Sequence, residues 1–251
     1  MNNIIEPKLN FTSNKFLEMH QEQQNSFYWL LKAKIVQDLV TRFKLNQNKE
    51  IIDVGCGTGF LIRNSGIPSH AYSGLDLFPE MIPYLKHNLG DDVRYQICDV
   101  EALLENSVDC VLIFDVLEHI DDHLHFLKCL KSKIKRDGLI LLTVPAHQWL
   151  YSNKDTDAGH VRRYGNAELK NLVNTAGLRI VWHSSFILLT MPMLIVSRIA
   201  EKIFPNRTIS EHQSWLNTLL KRLVPLEVWL YKQNFLKFGG TIVMGLTHET
   251  W

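Results

Sequence analysis

The sequence predicts an α/β fold: a doubly wound, mostly parallel sheet with helices on both faces. Three observations carry this expectation. Short apolar runs alternate with helix-like stretches between residues 51 and 144. The first run, Ile51-Ile52-Asp53-Val54, passes directly into a glycine-rich turn. Later runs end on aspartates, on the side where open α/β sheets bind ligands.

Residues 15–45 place Phe16, Met19, Phe27, Leu30, Leu31, Ile35, Leu39 and Phe43 at roughly helical spacing, which predicts an N-terminal cap of one or two helices. Strands are expected near 51–54, 70–76, 92–97, 108–114 and 138–144, and helices near 58–65, 79–89 and 121–135. Asp137-Gly138 reads as the turn between the last helix and its strand. After Val144-Pro145 the rhythm breaks. Residues 146–165 are polar and too long for an ordinary connection, which marks them as functional. A helix near 166–176 and a strand near 178–187 restore the pattern. Residues 189–236 read as apolar helices interrupted by Pro205 and Pro225, and 239–246 as a final strand. One domain over 1–251 accounts for all of this, with 189–236 as an insertion.

A net charge of +1 over 251 residues gives no strongly basic face, so nucleic acid is not an expected partner. Cys56, Cys98, Cys110 and Cys129 form no CxxC pair, which argues against a zinc site or a disulfide framework. The polar stretch from Met1 to Asn14 lacks a signal-peptide layout, and the cytoplasm is the expected location.

Gly55, Gly57 and Gly59 form a GxGxG turn that is expected to follow a strand and open a helix. A dinucleotide fingerprint would carry glycine where Phe60 stands, so a pyrophosphate ligand is disfavoured. A plain tight turn is the competing reading. Asp76 ends the second strand, where an acidic side chain can accept bonds from both ribose hydroxyls. Asp99 follows the third strand, placed to meet an adenine amino group, and Asp115 ends the fourth. Any one of these could instead be a helix cap. Their agreement in register is what points to a nucleotide-like ligand.

Asp53 to Gly59, the Cys98-Asp99-Val100 step and the segment from Phe114 to Ile120 resemble motifs of class I S-adenosylmethionine-dependent methyltransferases. The resemblance covers about residues 50–185 and implies a Rossmann-like, seven-stranded sheet with an antiparallel last strand. By that resemblance Asp53, Gly55, Cys56, Gly57 and Gly59 hold the methionine end of S-adenosyl-L-methionine. Asp76 takes the ribose, Leu77 packs on the adenine, and Asp99 with Val100 frames it. Asp115 and His119 line the site near the sulfonium.

Methyl transfer to a hydroxyl also needs a base near the acceptor proton. His147 and His160, in the polar stretch, are the candidates; either could instead only order its loop. Arg162 and Arg163 form a fork for an acidic acceptor, or a clasp with Asp155 or Asp157. Trp149, Tyr151 and Tyr164 wall the acceptor pocket or anchor the loop. Asp155 and Asp157 alone make a poor cation site, and no metal is expected. The His/Trp/GHxRRY arrangement is similar to one in bacterial small-molecule methyltransferases of polysaccharide or lipid pathways, a group that also resembles the quinone-biosynthesis O-methyltransferases.

The expected function is methyl transfer to a small or lipid-linked acceptor, more readily at oxygen than nitrogen. Protein or RNA methylation and a non-catalytic cofactor-binding scaffold are the alternatives. The run from Phe186 to Val196 is ended by Arg198, Glu201 and Lys202, too soon for a membrane span. Farther on, Trp215, Leu216, Leu219, Leu220, Trp229 and Leu230 lie beside Lys221 and Arg222. The insertion is then a lid over a greasy substrate, a peripheral membrane contact, or the interface of a homodimer.

Overall fold

In the computed structural model, residues 13–47, 49–203, 214–234 and 237–248 are described. Residues 1–12, Pro205, Phe235 and Leu236 fall outside that set, as does the side chain of Trp215.

Seven strands form one sheet: β1 (Ile51–Val54), β2 (Tyr72–Asp76), β3 (Arg94–Ile97), β4 (Val108–Phe114), β5 (Ile134–Pro145), β6 (Leu178–Phe186) and β7 (Thr241–His248). Their order is β3-β2-β1-β4-β5-β7-β6. The first five are parallel to one another, while β7 pairs antiparallel with both β5 and β6. The sheet therefore reverses its winding between β1 and β4, which opens a crevice at their carboxyl ends. The glycine turn after β1 and Asp115 after β4 both face that crevice.

Helices cover both faces, as apolar parallel strands require. On one side α3 (Ile82–Leu89) joins the N-terminal pair α1 (Ser13–Asn25) and α2 (Phe27–Arg42). On the other, α4 (His123–Lys133) and α6 (Asn166–Thr175) pack on Val111, Ile113 and Leu142. The short α5 (Asn153–Asp157) lies in the polar stretch after β5. In α2 the buried stripe is Leu31, Lys32, Ile35, Val36, Leu39 and Val40, helical spacing with one cation in it. Ser26 starts this helix by accepting from the Tyr28 N–H at 3.2 Å.

Three expectations fail. Residues 58–65 form successive turns rather than a helix. Gly55, Gly57 and Gly59 all carry positive φ, so the left-handed backbone runs on to Gly59 and only six residues remain before Gly66. Left-handed glycines bound that run at both ends, Gly59 and Gly66, and right-handed helix cannot continue through either. Asp137 and Gly138 do not break the chain either, because they lie within β5. Val108 pairs with Ile134 but Cys110 pairs with Leu139, so the extra residues of β5 are taken up as a bulge. Pro225 sits inside α8 (Ser214–Gln233) without interrupting it. It is exposed, so solvent can satisfy the carbonyl one turn earlier that loses its donor.

The insertion folds as α7 (Met191–Ile203) and α8. Leu220, Val224 and Tyr231 of α8 are buried, while Leu219, Leu226 and Trp229 face outward. Among the described residues no helix is long and apolar enough to cross a membrane.

Candidate active site

The glycine turn is a backbone cradle whose own N–H groups are bonded within the protein: Gly55 N and Cys56 N donate to Leu75 O at 2.8 and 3.2 Å, and Gly59 N to Cys56 O at 3.0 Å. Gly55 has φ +70, and a Cβ there would stand 2.6 Å from Val116 Cγ2, so only glycine fits between β1 and the residue after Asp115. Asp76 reaches back to the same turn: its Oδ2 accepts from Gly57 N at 2.8 Å, and its Oδ1 from Leu77 N and Phe78 N at 2.8 and 3.1 Å. Asp53 is buried beneath it and accepts from the Tyr72 hydroxyl at 3.1 Å. Burial pushes the Asp53 carboxyl up to about 7, against that hydrogen bond. The Cys56 thiol is buried against Gly74 and its pKa is driven up by burial, so it is inert packing rather than a nucleophile. Leu77 is 37% exposed beside the crevice, available to pack on a ring, and Val100 is buried. Asp99 caps a one-turn helix, accepting from Glu101 N at 3.3 Å, so the capping role is real whatever else it binds.

Asp115 has φ +56, an uncommon backbone for a residue other than glycine, held by a bond from its N–H to Thr143 O at 3.0 Å. Its side chain accepts from Thr143 Oγ1 at 2.7 Å, from the Tyr28 hydroxyl at 3.1 Å and from Lys32 Nζ. Burial would raise this carboxyl, but the Lys32 ammonium and these bonds hold it below the usual range. Tyr28 and Lys32 were not expected here. The one signal for Lys32 was a lysine set into the apolar stripe of α2.

The polar stretch is clamped onto the turn after β4. Val161 N donates to Glu118 O at 2.9 Å, the Tyr164 hydroxyl to Leu117 O at 3.1 Å, and Arg162 to Ile120 O and Asp121 O at 2.8 and 3.1 Å. His119 Nδ1 lies 3.0 Å from Gly159 O, which makes it the donor and leaves Nε2 as an acceptor. Burial and the neighbouring His160 depress the His119 pKa to about 4, so its ring is neutral.

Asp155 organises the stretch. It is buried at 2% exposure and closes a capping box with Ser152. Its Oδ1 accepts from His160 Nδ1 at 2.9 Å and from Arg163 Nε at 2.8 Å. Despite burial, those two bonds hold its carboxyl below the usual range. Arg163 is therefore a clasp, its fork spent on Asp155 and the Ala146 carbonyl. Arg162 is likewise spent on backbone carbonyls. Tyr164 is fully buried in the core and anchors the loop rather than walling a pocket. Tyr151 donates to His160 O at 2.6 Å, which braces that histidine's backbone. Trp149, by contrast, is 53% exposed.

The two histidine candidates stand on different neighbours. His147, at φ +64, lies beside Trp149 and Phe238 with ring centroids 5.6 and 4.8 Å away and the rings tilted by 38° and 44°. His160 faces His119 at 4.9 Å, and its Nε2 is 3.9 Å from Glu118 Oε1. Glu118 is wholly buried and neither carboxylate oxygen has a hydrogen-bond partner. Burial and the Asp115 charge raise its pKa well above normal. Glu118, His119 and His160 bring one donor atom each within 4.8 Å of one another, a set that could hold a metal ion as well as pass a proton. Glu118 too was missed in the sequence; only its place beside His119 hinted at it.

A family model described as a methyltransferase domain matches residues 28–183. The chain belongs to that family. Its cofactor is S-adenosylmethionine, and Asp76 at the end of β2 with Asp115 after β4 fit that ligand's hydroxyl and cationic groups. The methyltransferase is 30% identical over 103 residues to the mitochondrial ubiquinone biosynthesis O-methyltransferase of Bos taurus, covering 38% of this chain and 28% of that one. It is 26% identical over 157 residues to a probable S-adenosylmethionine-dependent methyltransferase of Mycolicibacterium smegmatis, covering 61% and 60%. The matches thus span 28% and 60% of these relatives, less than two thirds of either. Among solved structures it is similar to an S-adenosylmethionine-dependent methyltransferase of Archaeoglobus fulgidus, with a TM-score of 0.55 at 18% identity over 91% of this chain and 98% of that one. A chain of the complex between the Haloferax volcanii Trm112 methyltransferase activator and a methyltransferase has a TM-score of 0.63 at 18% identity, covering 95% of this chain and 96% of that one. These likenesses carry the fold.

Proposed function

We propose that the protein transfers the methyl group of S-adenosylmethionine to an oxygen of a small-molecule or lipid-linked acceptor, with His160 as the base. The Asp155–His160 pair carries this reading. An ionised carboxylate only accepts, so Nδ1 of His160 carries the proton bonded to Asp155 and Nε2 is left to receive one. Nε2 points toward Glu118 and His119 at the end of β4, the edge where the acceptor must meet the cofactor. When bound, the cofactor supplies a methyl group on a positive sulfur. The chain's own residues orient the acceptor, exclude water and take its proton. The ubiquinone O-methyltransferase relatives support oxygen as the acceptor atom. A base so oriented favours turnover over a binding scaffold, and a hydroxyl acceptor over the protein or RNA alternatives.

The insertion supports an apolar acceptor met at a membrane surface. The outward face of α8 carries Leu219, Arg222, Leu226 and Trp229, apolar and basic side chains with no acidic one, while Lys232 at its end pairs with Asp38 at 3.3 Å.

The test is methyl transfer from radiolabelled cofactor to phenolic compounds and lipid extracts, with the product identified by mass spectrometry. The expected product is an O-methyl ether or ester. An N-methyl product, or none from any acceptor, overturns the reading. Loss of activity on dialysis against a chelator, restored by a divalent cation, would make His160 a metal ligand and overturn its role as base.

A further inference from the structure

We propose that Lys32, with Tyr28 beside it, is the subsite for the carboxylate of the cofactor's methionine end. The inference rests on the cofactor assignment and starts from charge. The methionine end of S-adenosylmethionine carries an ammonium and a carboxylate. The side chains that surround the crevice after the strands are acidic: Asp53, Asp76, Asp99 and Asp115. They suit an ammonium and hydroxyl groups, and none of them can hold an anion.

Lys32 supplies the missing cation. It is 1% exposed, yet its Nζ lies at the crevice, bonded to Asp115. Asp115 is followed by Val116, the residue that packs on Gly55, so Lys32 stands at the methionine side of the cradle. An ammonium has three N–H donors, and the bond to Asp115 uses one. The faces of Tyr28 and Trp29 flank the ammonium at 5.9 and 5.4 Å, which stabilises a desolvated cation without consuming its donors. The Tyr28 hydroxyl donates its one proton to the same Asp115 oxygen and so helps to hold Asp115 beside the ammonium. A carboxylate arriving there meets the remaining N–H donors of Lys32, and Asp115 holds Lys32 in position until it does. The N-terminal cap is in this way part of the cofactor site, and not only a cover over the acceptor.

The experiment compares two probes by calorimetry: S-adenosylhomocysteine, and S-adenosyl-3-thiopropylamine, the same molecule without its carboxylate. The wild type should prefer the first by about tenfold or more, the range of a charge-assisted bond. Lys32→Met should remove that preference while leaving the affinity for the decarboxylated probe within about threefold, and Lys32→Arg should retain most of it. Lys32→Gln, an uncharged amide that can still donate to Asp115, should behave as Lys32→Met does. Binding of the decarboxylated probe reports that the site is folded. A full preference in Lys32→Met and Lys32→Gln would give Lys32 to the acceptor and overturn the proposal. Loss of both probes in both variants would make the pair a purely structural one and overturn it equally. A wild type that binds neither probe would overturn the cofactor assignment itself, and this inference with it.

Discussion

Asp155 Oδ1 joins two roles at one atom: it orients His160 through Nδ1 at 2.9 Å and anchors Arg163 through Nε at 2.8 Å. His160 and the loop that carries it are therefore mechanically one unit. Replacing His160 by Ala should lower kcat by about 10²- to 10⁴-fold, the usual contribution of a positioned base, and leave S-adenosylhomocysteine affinity unchanged. Asp155→Asn should lower kcat as well, by loosening the ring that Nδ1 now fixes. Steady-state kinetics beside calorimetry reads both. A His160→Ala enzyme with normal kcat would remove His160 from the chemistry.

Arg163 gives a stability prediction from the same cluster. It is 7% exposed and its partner Asp155 is 2% exposed, so removing the guanidinium strands a buried charge. Arg163→Met should cost about 3–5 kcal/mol in urea unfolding, as breaking one side of a buried pair does. A surface pair such as Lys135–Asp109 should cost under about 1 kcal/mol by the same measurement. Equal losses at the two sites would contradict the clasp.

The parallel sheet was legible because its central strands β1, β4 and β5 carry apolar runs bounded by turn residues, a pattern that needs no tertiary information, while the edge strand β3, Arg94–Ile97, is mostly polar. The acidic strand ends were legible for the same reason, since a strand's end fixes where the next side chain emerges. The helix expected at 58–65 was not, because helical spacing says nothing about three successive left-handed glycines. Arg163 and Tyr164 were open between fork, wall and clasp because their direction depends on how the loop docks on Leu117–Asp121. Lys32 and Tyr28 were invisible as site residues: nothing within α2 indicates that it crosses the end of β4. Glu118 was hidden by its neighbour, since in a site read from strand ends the eye stops at Asp115 and His119.

The glycine turn can be tested by separating strain from packing. Gly59 and Gly66 both have positive φ, but a Cβ at Gly59 would lie 2.7 Å from Leu85 and 2.9 Å from Leu89, while Gly66 has open space. Gly66→Ala should cost about 1 kcal/mol from backbone strain alone. Gly59→Ala should cost about 1–3 kcal/mol more, because two leucines must move. Urea midpoints compare them, and equal losses would mean that α3 yields without cost.

The outward face of α8 predicts sedimentation of the protein with anionic vesicles, weakened by added salt. Trp229→Ser with Leu226→Ser should reduce that binding severalfold and leave cofactor affinity unchanged, since both side chains are exposed. Protein that stays in the supernatant with vesicles rich in anionic lipid would leave this face to some other role.

Asp53 carries the pH dependence. Burial raises its carboxyl from the ordinary value to about 7, partly offset by the Tyr72 bond and by Lys32. The folded protein therefore binds this proton more tightly than the unfolded chain does. The sign follows: between about 4 and 7 the native state holds the extra proton, so this group's contribution to stability falls as pH rises through that window. The cofactor's ammonium reverses the preference, because it favours the ionised carboxylate. S-adenosylhomocysteine should bind more tightly as pH rises through 7, with release of a proton. Calorimetry in buffers of different ionisation enthalpy measures that proton directly. Asp53→Asn should abolish the release and flatten the pH dependence of binding. A wild type that binds with no proton released at pH 6 would place the Asp53 proton elsewhere, and the methionine ammonium away from β1.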